Sequence, residues 1–438
     1  MGSKQAVFKY LHNTSWIFFE KLFRLLIGLF VGIYVARYLG PENFGILNYS
    51  VSFIALTTVF SSIAYRGVIV REVITDKINY DKILFAAFML NSAGLMFSIL
   101  LTLSVNFFVN SGGAAYSVVL FILISIVFQP FMVISYFFQA NHRLKYVAIS
   151  SVVGVTIAGM YRIYLIYMEA DLEMFAITYV IEGFFTTLLL IYIYINKKYS
   201  THVNVNVNVN FKYLKKIFND SYPLVISGVF VTIFLKIDQV MIKELSNFTE
   251  VGNYVAAVKI SNVWTIFPVA LSASLFPIVI RAYKKSTTFF YTRLASIYYV
   301  FIMLGLFATF FTYFYSSELI LLLFGNEYVD AIPILRIHSL SIVLIFLMFI
   351  TANYLVLKNE KKLILKTDIV TAISNVILNM FLIPKYGAYG ASIATLISYA
   401  LKLFLVFSYK RNKKLLLIMT SPRLLKVIKW KMMIRTNS

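Results

Sequence analysis

The chain has no cysteine. That excludes disulfides, thiolate metal sites and cysteine nucleophiles. Charge is also scarce: Asp, Glu, Lys and Arg make up 13% of 438 residues, where a soluble domain carries about 25%. The four histidines, His12, His142, His202 and His338, are scattered and form no metal motif. No Gly-x-x-x-x-Gly-Lys-[Ser/Thr] loop occurs, so no nucleotide phosphate cradle of that kind is expected. Acidic residues are few, 18 against 40 basic ones, for a net charge of +22. In a soluble protein this excess would suggest nucleic acid. In a membrane protein it marks cytoplasmic loops.

What fills the chain instead is apolar, at 60% of residues. A soluble fold of this composition could not cover its own surface. We therefore read an all-α integral membrane protein with almost every residue in one membrane domain. Crossing a bilayer takes about 20 apolar residues. Apolar runs, punctuated by breakers and charge clusters, predict twelve transmembrane helices at 12–36, 44–65, 82–109, 116–140, 146–168, 173–196, 218–242, 251–280, 289–315, 331–357, 363–384 and 387–409. The first run has no small-residue cleavage site and continues as a full-length span, so it is expected to be a span and not a removable signal.

Charge placement tests this topology. With both termini cytoplasmic, the inside segments hold 30 Lys and Arg, nine of them from Lys410 onward. The outside loops hold three: Arg37, Lys243 and Lys385. An alternation this strong over thirteen segments fits twelve spans, because one missed span would invert every later loop. The remaining seven cations fall within spans: Lys21, Arg24, Arg162, Lys236, Lys259, Arg336 and Lys402. Span carboxylates include Glu20, Glu182, Asp238 and Asp368. Intramembrane charges are costly and face polar interiors, so these are the functional candidates.

The longest connection, 197–217, divides the spans six plus six and contains the repeat Val203-Asn-Val-Asn-Val-Asn-Val-Asn210. It reads as a linker grown by repeat expansion. The expected organisation is a six-helix half at 1–199, a cytoplasmic linker at 200–217, a second half at 218–412 and a basic tail at 413–438. Two readings fit the tail, a helix lying on anionic lipid or a disordered segment.

The halves echo each other. Ala36-Arg-Tyr-Leu-Gly-Pro-Glu-Asn-Phe-Gly-Ile-Leu-Asn-Tyr49 follows the first span, and Ile242-Lys-Glu-Leu-Ser-Asn-Phe-Thr-Glu-Val-Gly-Asn-Tyr254 follows the seventh. Each is a short outside loop ending in an apolar residue and a glycine. Duplicated halves of this kind flank a central cavity in repeat-built transporters.

The segment Ala36-Arg37-x-Leu39-Gly40-Pro41-x-x-Phe44-Gly45 resembles the first-loop signature of the Wzx-like O-antigen flippases. These are polysaccharide repeat-unit transporters of the multidrug/oligosaccharidyl-lipid/polysaccharide exporter superfamily. Further matches are Arg71-Glu72-Val73, Ser221-x-Pro223, Val251-Gly252-x-Tyr254, Phe276-Pro277 and Asn379-x-x-Leu382-Ile383-Pro384 with Gly387 and Gly390. The resemblance runs the length of the chain. It implies a non-enzymatic flippase in a bacterial cytoplasmic (inner) membrane, moving undecaprenyl-pyrophosphate-linked glycan, O-antigen or a related unit, by alternating access. It implies membrane lipid, a glycan polymerase and a chain-length regulator as partners, with no cofactor and no nucleic acid.

Such a cargo calls for a cationic cavity, for which Arg24, Arg37, Arg162, Lys236, Lys259 and Arg336 are the candidates. Glu182, Asp238 and Asp368 are candidates for ion coupling, since a buried carboxylate can carry a proton. Glu20, Arg24, Gly28 and Gly32 recur at four-residue steps on one face. Either Arg24 faces the lumen, or it pairs with Glu20 while the glycines pack against a neighbouring helix. Glu182 and Arg162, on successive helices, could pair statically. Lys236 and Asp238 are about 200° apart and cannot share a face. The competing readings are an exporter of small molecules, disfavoured by a cationic lumen, and a membrane glycan polymerase, disfavoured by short outside loops.

Overall fold

With no water in the bilayer core, each backbone N–H and C=O must be satisfied within the protein, and helices do this locally. The computed structural model describes residues 3–76, 78–196, 211–409 and 412, with side chains from Ser15 onward except at 273 and 288. The Val203–Asn210 repeat and the tail 413–438 lie outside the described residues. The helices are α1 (Ser3–Thr57), α2 (Arg66–Thr75), α3 (Tyr80–Asn110), α4 (Ala114–Ser125), α5 (Val133–Ala140), α6 (Leu144–Tyr167), α7 (Leu172–Asn196), α8 (Phe211–Leu245), α9 (Phe248–Val263), α10 (Ile266–Lys285), α11 (Thr287–Phe314), α12 (Ser316–Leu323), α13 (Ala331–Leu357) and α14 (Lys361–Ser408). Among the described residues, ten segments are long and apolar enough to cross a membrane. This is an all-helical, multi-pass membrane protein.

Two of those segments are far longer than one crossing needs, and each contains a sharp break. The break in α1 is Gly40, with φ 69° and ψ 173°; that in α14 is Gly387, with φ 56° and ψ −139°. Only glycine adopts such angles without strain. The expected loop at 37–43 and the expected turn at 385–387 are thus reduced to single-residue kinks.

Proline accounts for two further breaks. The expected span 116–140 is α4, a 3₁₀ stretch at Ile126–Met132, and α5. Pro130 has no N–H for the carbonyl of Ile126, four residues back. The expected span 251–280 breaks between α9 and α10. Pro268 cannot donate to the Trp264 carbonyl, which takes the Phe267 N–H at 3.2 Å instead. The Trp264 indole N–H donates to Thr312 Oγ1 at 2.8 Å. Pro277, by contrast, sits inside an uninterrupted α10.

The chain forms two compact units, Met1–Gly252 and Asn253–Ser438. In the first, α6 carries two contact glycines. A Cβ on Gly154 would stand 2.1 Å from Thr186 Oγ1 and 2.8 Å from the Glu182 carbonyl oxygen on α7. One on Gly159 would stand 3.3 Å from Ile27 of α1. These close approaches bring α1, α6 and α7 together.

The segments around Gly45 and Gly252 also meet within this unit. A Cβ on Gly45 would stand 1.9 Å from the Phe248 carbonyl oxygen, and one on Gly252 would stand 1.9 Å from that of Pro41. The contact is reciprocal: each glycine receives the carbonyl four residues before the other. Nearby, Ser52 Oγ donates to Gln239 Oε1 at 2.6 Å.

The N-terminal end of α8 is tied to α2 by charge. Arg71 pairs with Asp220 and with Glu72 (3.0 Å), and Lys216 pairs with Glu72. The Tyr65 N–H donates to Ser221 Oγ at 3.1 Å. Tyr213 donates to Asp76 Oδ2 at 3.1 Å. The backbone N–H of Asn79, 3.1 Å from Asp76 Oδ1, helps hold that carboxyl below its usual pKa.

The second unit packs α10, α11, α13 and α14 around Phe290, Tyr298, Phe301, Phe346 and Tyr354. Tyr298 OH and Thr351 Oγ1 share a hydrogen bond of 2.8 Å in this core. Lys358 caps it from one end, its ammonium 4.5 Å from the Tyr283 ring and 5.1 Å from that of Phe290.

Candidate functional site

The first unit holds a four-residue polar network among apolar helices. Arg24 sits one helical turn after Glu20 on α1, so Arg24 Nε donates to Glu20 Oε1 at 3.2 Å. Arg24 Nη1 pairs with Glu182 of α7. Arg24 Nη2 donates to Ser151 Oγ of α6 at 2.7 Å, and Ser151 Oγ donates to Glu20 Oε1, also at 2.7 Å. One guanidinium is thus shared by two carboxylates and a hydroxyl, with a formal charge of −1. The carboxylate side chains are 18% and 21% exposed, but Arg24 is 45% exposed. The cation therefore keeps an open side to which a further anion could bind.

This geometry joins two sequence alternatives that stood apart. Arg24 does pair with Glu20, yet it is also open. The glycines expected to pack on its face do not all do so: a Cβ on Gly28 would meet nothing within 4 Å. The close approach is instead made by Gly154 and Gly159 of α6. The Arg162–Glu182 pair is not formed. Arg162 Nε donates to Thr178 Oγ1 at 2.9 Å, and its guanidinium lies 5.0 Å from the Tyr179 ring centre.

The remaining candidates are dispersed. Arg37 is exposed three residues before the Gly40 kink. Asp238 is 4% exposed, while Lys236 is only half-buried, as their angular separation on α8 requires. Lys259 is half-buried on α9. Arg336, exposed near the start of α13, donates to Ser316 Oγ at 2.9 Å and Ser317 Oγ at 3.2 Å. Asp368 Oδ1 and Lys402 Nζ, both on α14, form an ion pair of 2.6 Å. His338 is buried, its ring edge-on to Tyr254.

The structure adds residues that the sequence reading passed over. Ser98, Thr102, Asn106 and Asn110 are buried at four-residue steps on α3. Thr102 Oγ1 donates to Thr57 Oγ1 at 2.7 Å. Tyr49 OH donates to Asn110 Oδ1 at 3.1 Å and reaches Glu244 Oε1 at 3.2 Å, and Lys243 pairs with Glu244 at 2.9 Å. The four-residue spacing was visible as a polar stripe inside an apolar run. The Tyr49–Glu244 contact, between residues 195 apart, was not.

The Asp368–Lys402 pair yields a first prediction. Asp368 is 7% exposed and Lys402 21%. Asp368→Leu alone strands a cation and should cost about 3 kcal/mol or more. Asp368→Leu with Lys402→Met should recover most of that loss. Thermal unfolding of both variants in detergent checks it; equal destabilisation by the two would refute a mutual pairing.

Residues 10–283 match the family described as Polysaccharide biosynthesis protein. The chain belongs to this family. Among curated relatives, a capsular polysaccharide biosynthesis protein, CapF, of Staphylococcus aureus is 23% identical over 404 residues, covering 91% of this chain and 99% of CapF. Two solved structures share the fold. An inward-facing multidrug resistance MATE family transporter of the MOP superfamily aligns with a TM-score of 0.75 at 17% identity, covering 91% of this chain and 96% of its own. The lipid II flippase MurJ, in an inward closed conformation, aligns with a TM-score of 0.69 at 14% identity, covering 98% and 94%. The Arg24 network thus belongs to a polysaccharide biosynthesis family member that shares its fold with these two structures.

Proposed function

We propose that the protein is a flippase that moves an undecaprenyl-pyrophosphate-linked oligosaccharide from the cytoplasmic to the outer leaflet by alternating access. The observation that carries this reading is Arg24: a membrane-embedded guanidinium, fixed by three helices and half-open, in a member of a polysaccharide biosynthesis family. A pyrophosphate carries negative charge across its whole path, and a planar guanidinium grips phosphate oxygens two at a time. The family membership supports a glycan, and the fold shared with a lipid II flippase supports a lipid-linked one. No bond is made or broken in this scheme, so no catalytic residue is assigned.

In this reading the two long kinked segments each cross twice, which gives twelve crossings. The spans at 12–196 and 218–409 form two six-helix halves, and both termini lie in the cytoplasm, where the cationic loops are. The membrane is the bacterial inner membrane. Arg37, Arg162, Lys236, Lys259 and Arg336 are secondary candidates for contact with the anionic cargo.

The test is a deletion strain for this gene, scored for surface glycan and for lipid-linked intermediates. Loss of display with intact repeat units accumulating on the cytoplasmic leaflet is the expected result. If single units still reach the surface and only chain length collapses, the protein acts in polymerisation and the proposal fails.

A further inference from the structure

The cation assigned to the cargo already has protein partners as well as an open side. Of the guanidinium donors, Nε faces Glu20, Nη1 faces Glu182 and Nη2 faces Ser151. A two-point grip on a phosphate uses the pair of terminal nitrogens, and here each of them already gives one of its two N–H groups to the protein. A cargo phosphate arriving at the open side therefore has to share a single positive charge with the carboxylates already there.

The three polar partners are not held alike. Glu20 lies on the same helix as Arg24 and also accepts the Ser151 hydroxyl at 2.7 Å. Glu182 comes from α7, and its ion pair is with Arg24. Glu182 is therefore the partner that can leave. The groups around it are Arg24 and Glu20 from α1, Ser151 from α6, and Tyr179 on its own helix with Arg162 of α6 against the Tyr179 ring. The 3₁₀ stretch at Ile126–Met132, which places Phe128 against Gly183, contains no ionisable side chain, and α4 and α5 contribute only Tyr116 and Tyr136.

Charge decides what happens to a displaced Glu182. The network already carries −1. A pyrophosphate diester adds two more negative charges, in a medium where unpaired charge is expensive. A proton on the displaced carboxylate removes one of the three.

Resting on the flippase reading above, we propose that Glu182 and the cargo pyrophosphate compete for Arg24, and that loading the cargo places a proton on Glu182. Discharge then runs in reverse: Glu182 gives up its proton, returns to Arg24 and expels the phosphate. Glu182 is a built-in stand-in for the cargo's own anion. The sign follows from linkage: a ligand that binds together with a proton binds more tightly as pH falls, by up to about tenfold per pH unit for one proton.

The experiment uses the purified full-length chain in nanodiscs. The probe is a short-chain prenyl pyrophosphoryl N-acetylglucosamine, a diester whose own charge stays constant across the range. Calorimetric titrations from about pH 5.5 to about pH 8, in buffers of different ionisation enthalpy, count the protons taken up. Wild type should bind more tightly at low pH and take up close to one proton. Glu182→Gln should bind at every pH about as tightly as wild type does at the lowest, without proton uptake.

Binding by wild type without proton uptake overturns the competition, and that outcome needs no variant to fold. Retention of the wild-type pH slope by Glu182→Gln also overturns it. Absence of any binding by folded wild type overturns the flippase reading instead, and this inference with it.

Discussion

Gly252→Ala is expected to be among the most damaging single substitutions in the chain. The added carbon would stand 1.9 Å from the Pro41 carbonyl oxygen and 2.8 Å from its carbon. Both are backbone atoms, so no side chain can rotate away and the two segments themselves must separate. Overpacking of ordinary cores costs about 1–3 kcal/mol; a backbone overlap of this depth should reach or exceed the upper figure. Gly45→Ala meets the Phe248 carbonyl in the same way and should behave alike. Gly28→Ala provides the contrast, since its methyl would meet nothing within 4 Å, and it should lie within about 0.5 kcal/mol of wild type. Thermal unfolding of the three variants in one detergent decides the matter. If Gly252→Ala unfolds no earlier than Gly28→Ala, the crossing is not rigid.

The second large effect is expected at Arg24. Arg24→Ala should reduce glycan display to the level of the deletion strain. Two charge-assisted contacts to phosphate contribute about 3 kcal/mol or more, on the order of a hundredfold in binding. The same change leaves Glu20 and Glu182 without their cation, so stability should fall too. Because the arginine is 45% exposed, that loss should be smaller than for a fully buried pair.

Stability and transport can then be separated. Arg24→Ala combined with Glu20→Gln and Glu182→Gln removes the stranded charges and should restore the melting temperature without restoring display. Arg24→Lys keeps the charge but not the planar fork, and should fold well while supporting little transport. Recovery of display in the triple variant would show that Arg24 matters only as a counter-ion.

The all-helical membrane fold was readable because hydropathy alone located the apolar segments. The distribution of Lys and Arg supplies the proposed sides. Proline signalled breaks but not their positions. At Pro268 the helix parts at Trp264, because the damage falls on the carbonyl four residues earlier. At Pro277 nothing breaks.

The site was readable only in part. Glu20 and Arg24 share a helix, so their pairing follows from spacing alone. Glu182 was matched to Arg162 on the preceding helix and not to Arg24, because Arg24 lies 158 residues away and only the packing of α6 against α1 and α7 brings them together. Gly28 was over-read for the same reason. A glycine on a polar helix face marks a crossing only if a neighbour is there, and the neighbour supplies its own glycines at 154 and 159. Asn106 and Asn110, with Ser98 and Thr102, show the opposite failure: a four-residue polar rhythm was present in the sequence and carried no charge to draw the eye.

The reciprocal contact of Gly45 with Phe248 and Gly252 with Pro41 has the logic of a homodimer interface, in which residue i of one copy meets residue j of the other and j meets i. The same offset in sequence separates Gly45 from Gly252 and Pro41 from Phe248, so the contact repeats itself with its two sides exchanged. In a symmetric homodimer, any change at such a glycine strikes both sides of the contact at once. Within one chain the two sides are separate positions. Proline stands on one side and phenylalanine on the other, while the crossing position is glycine on both.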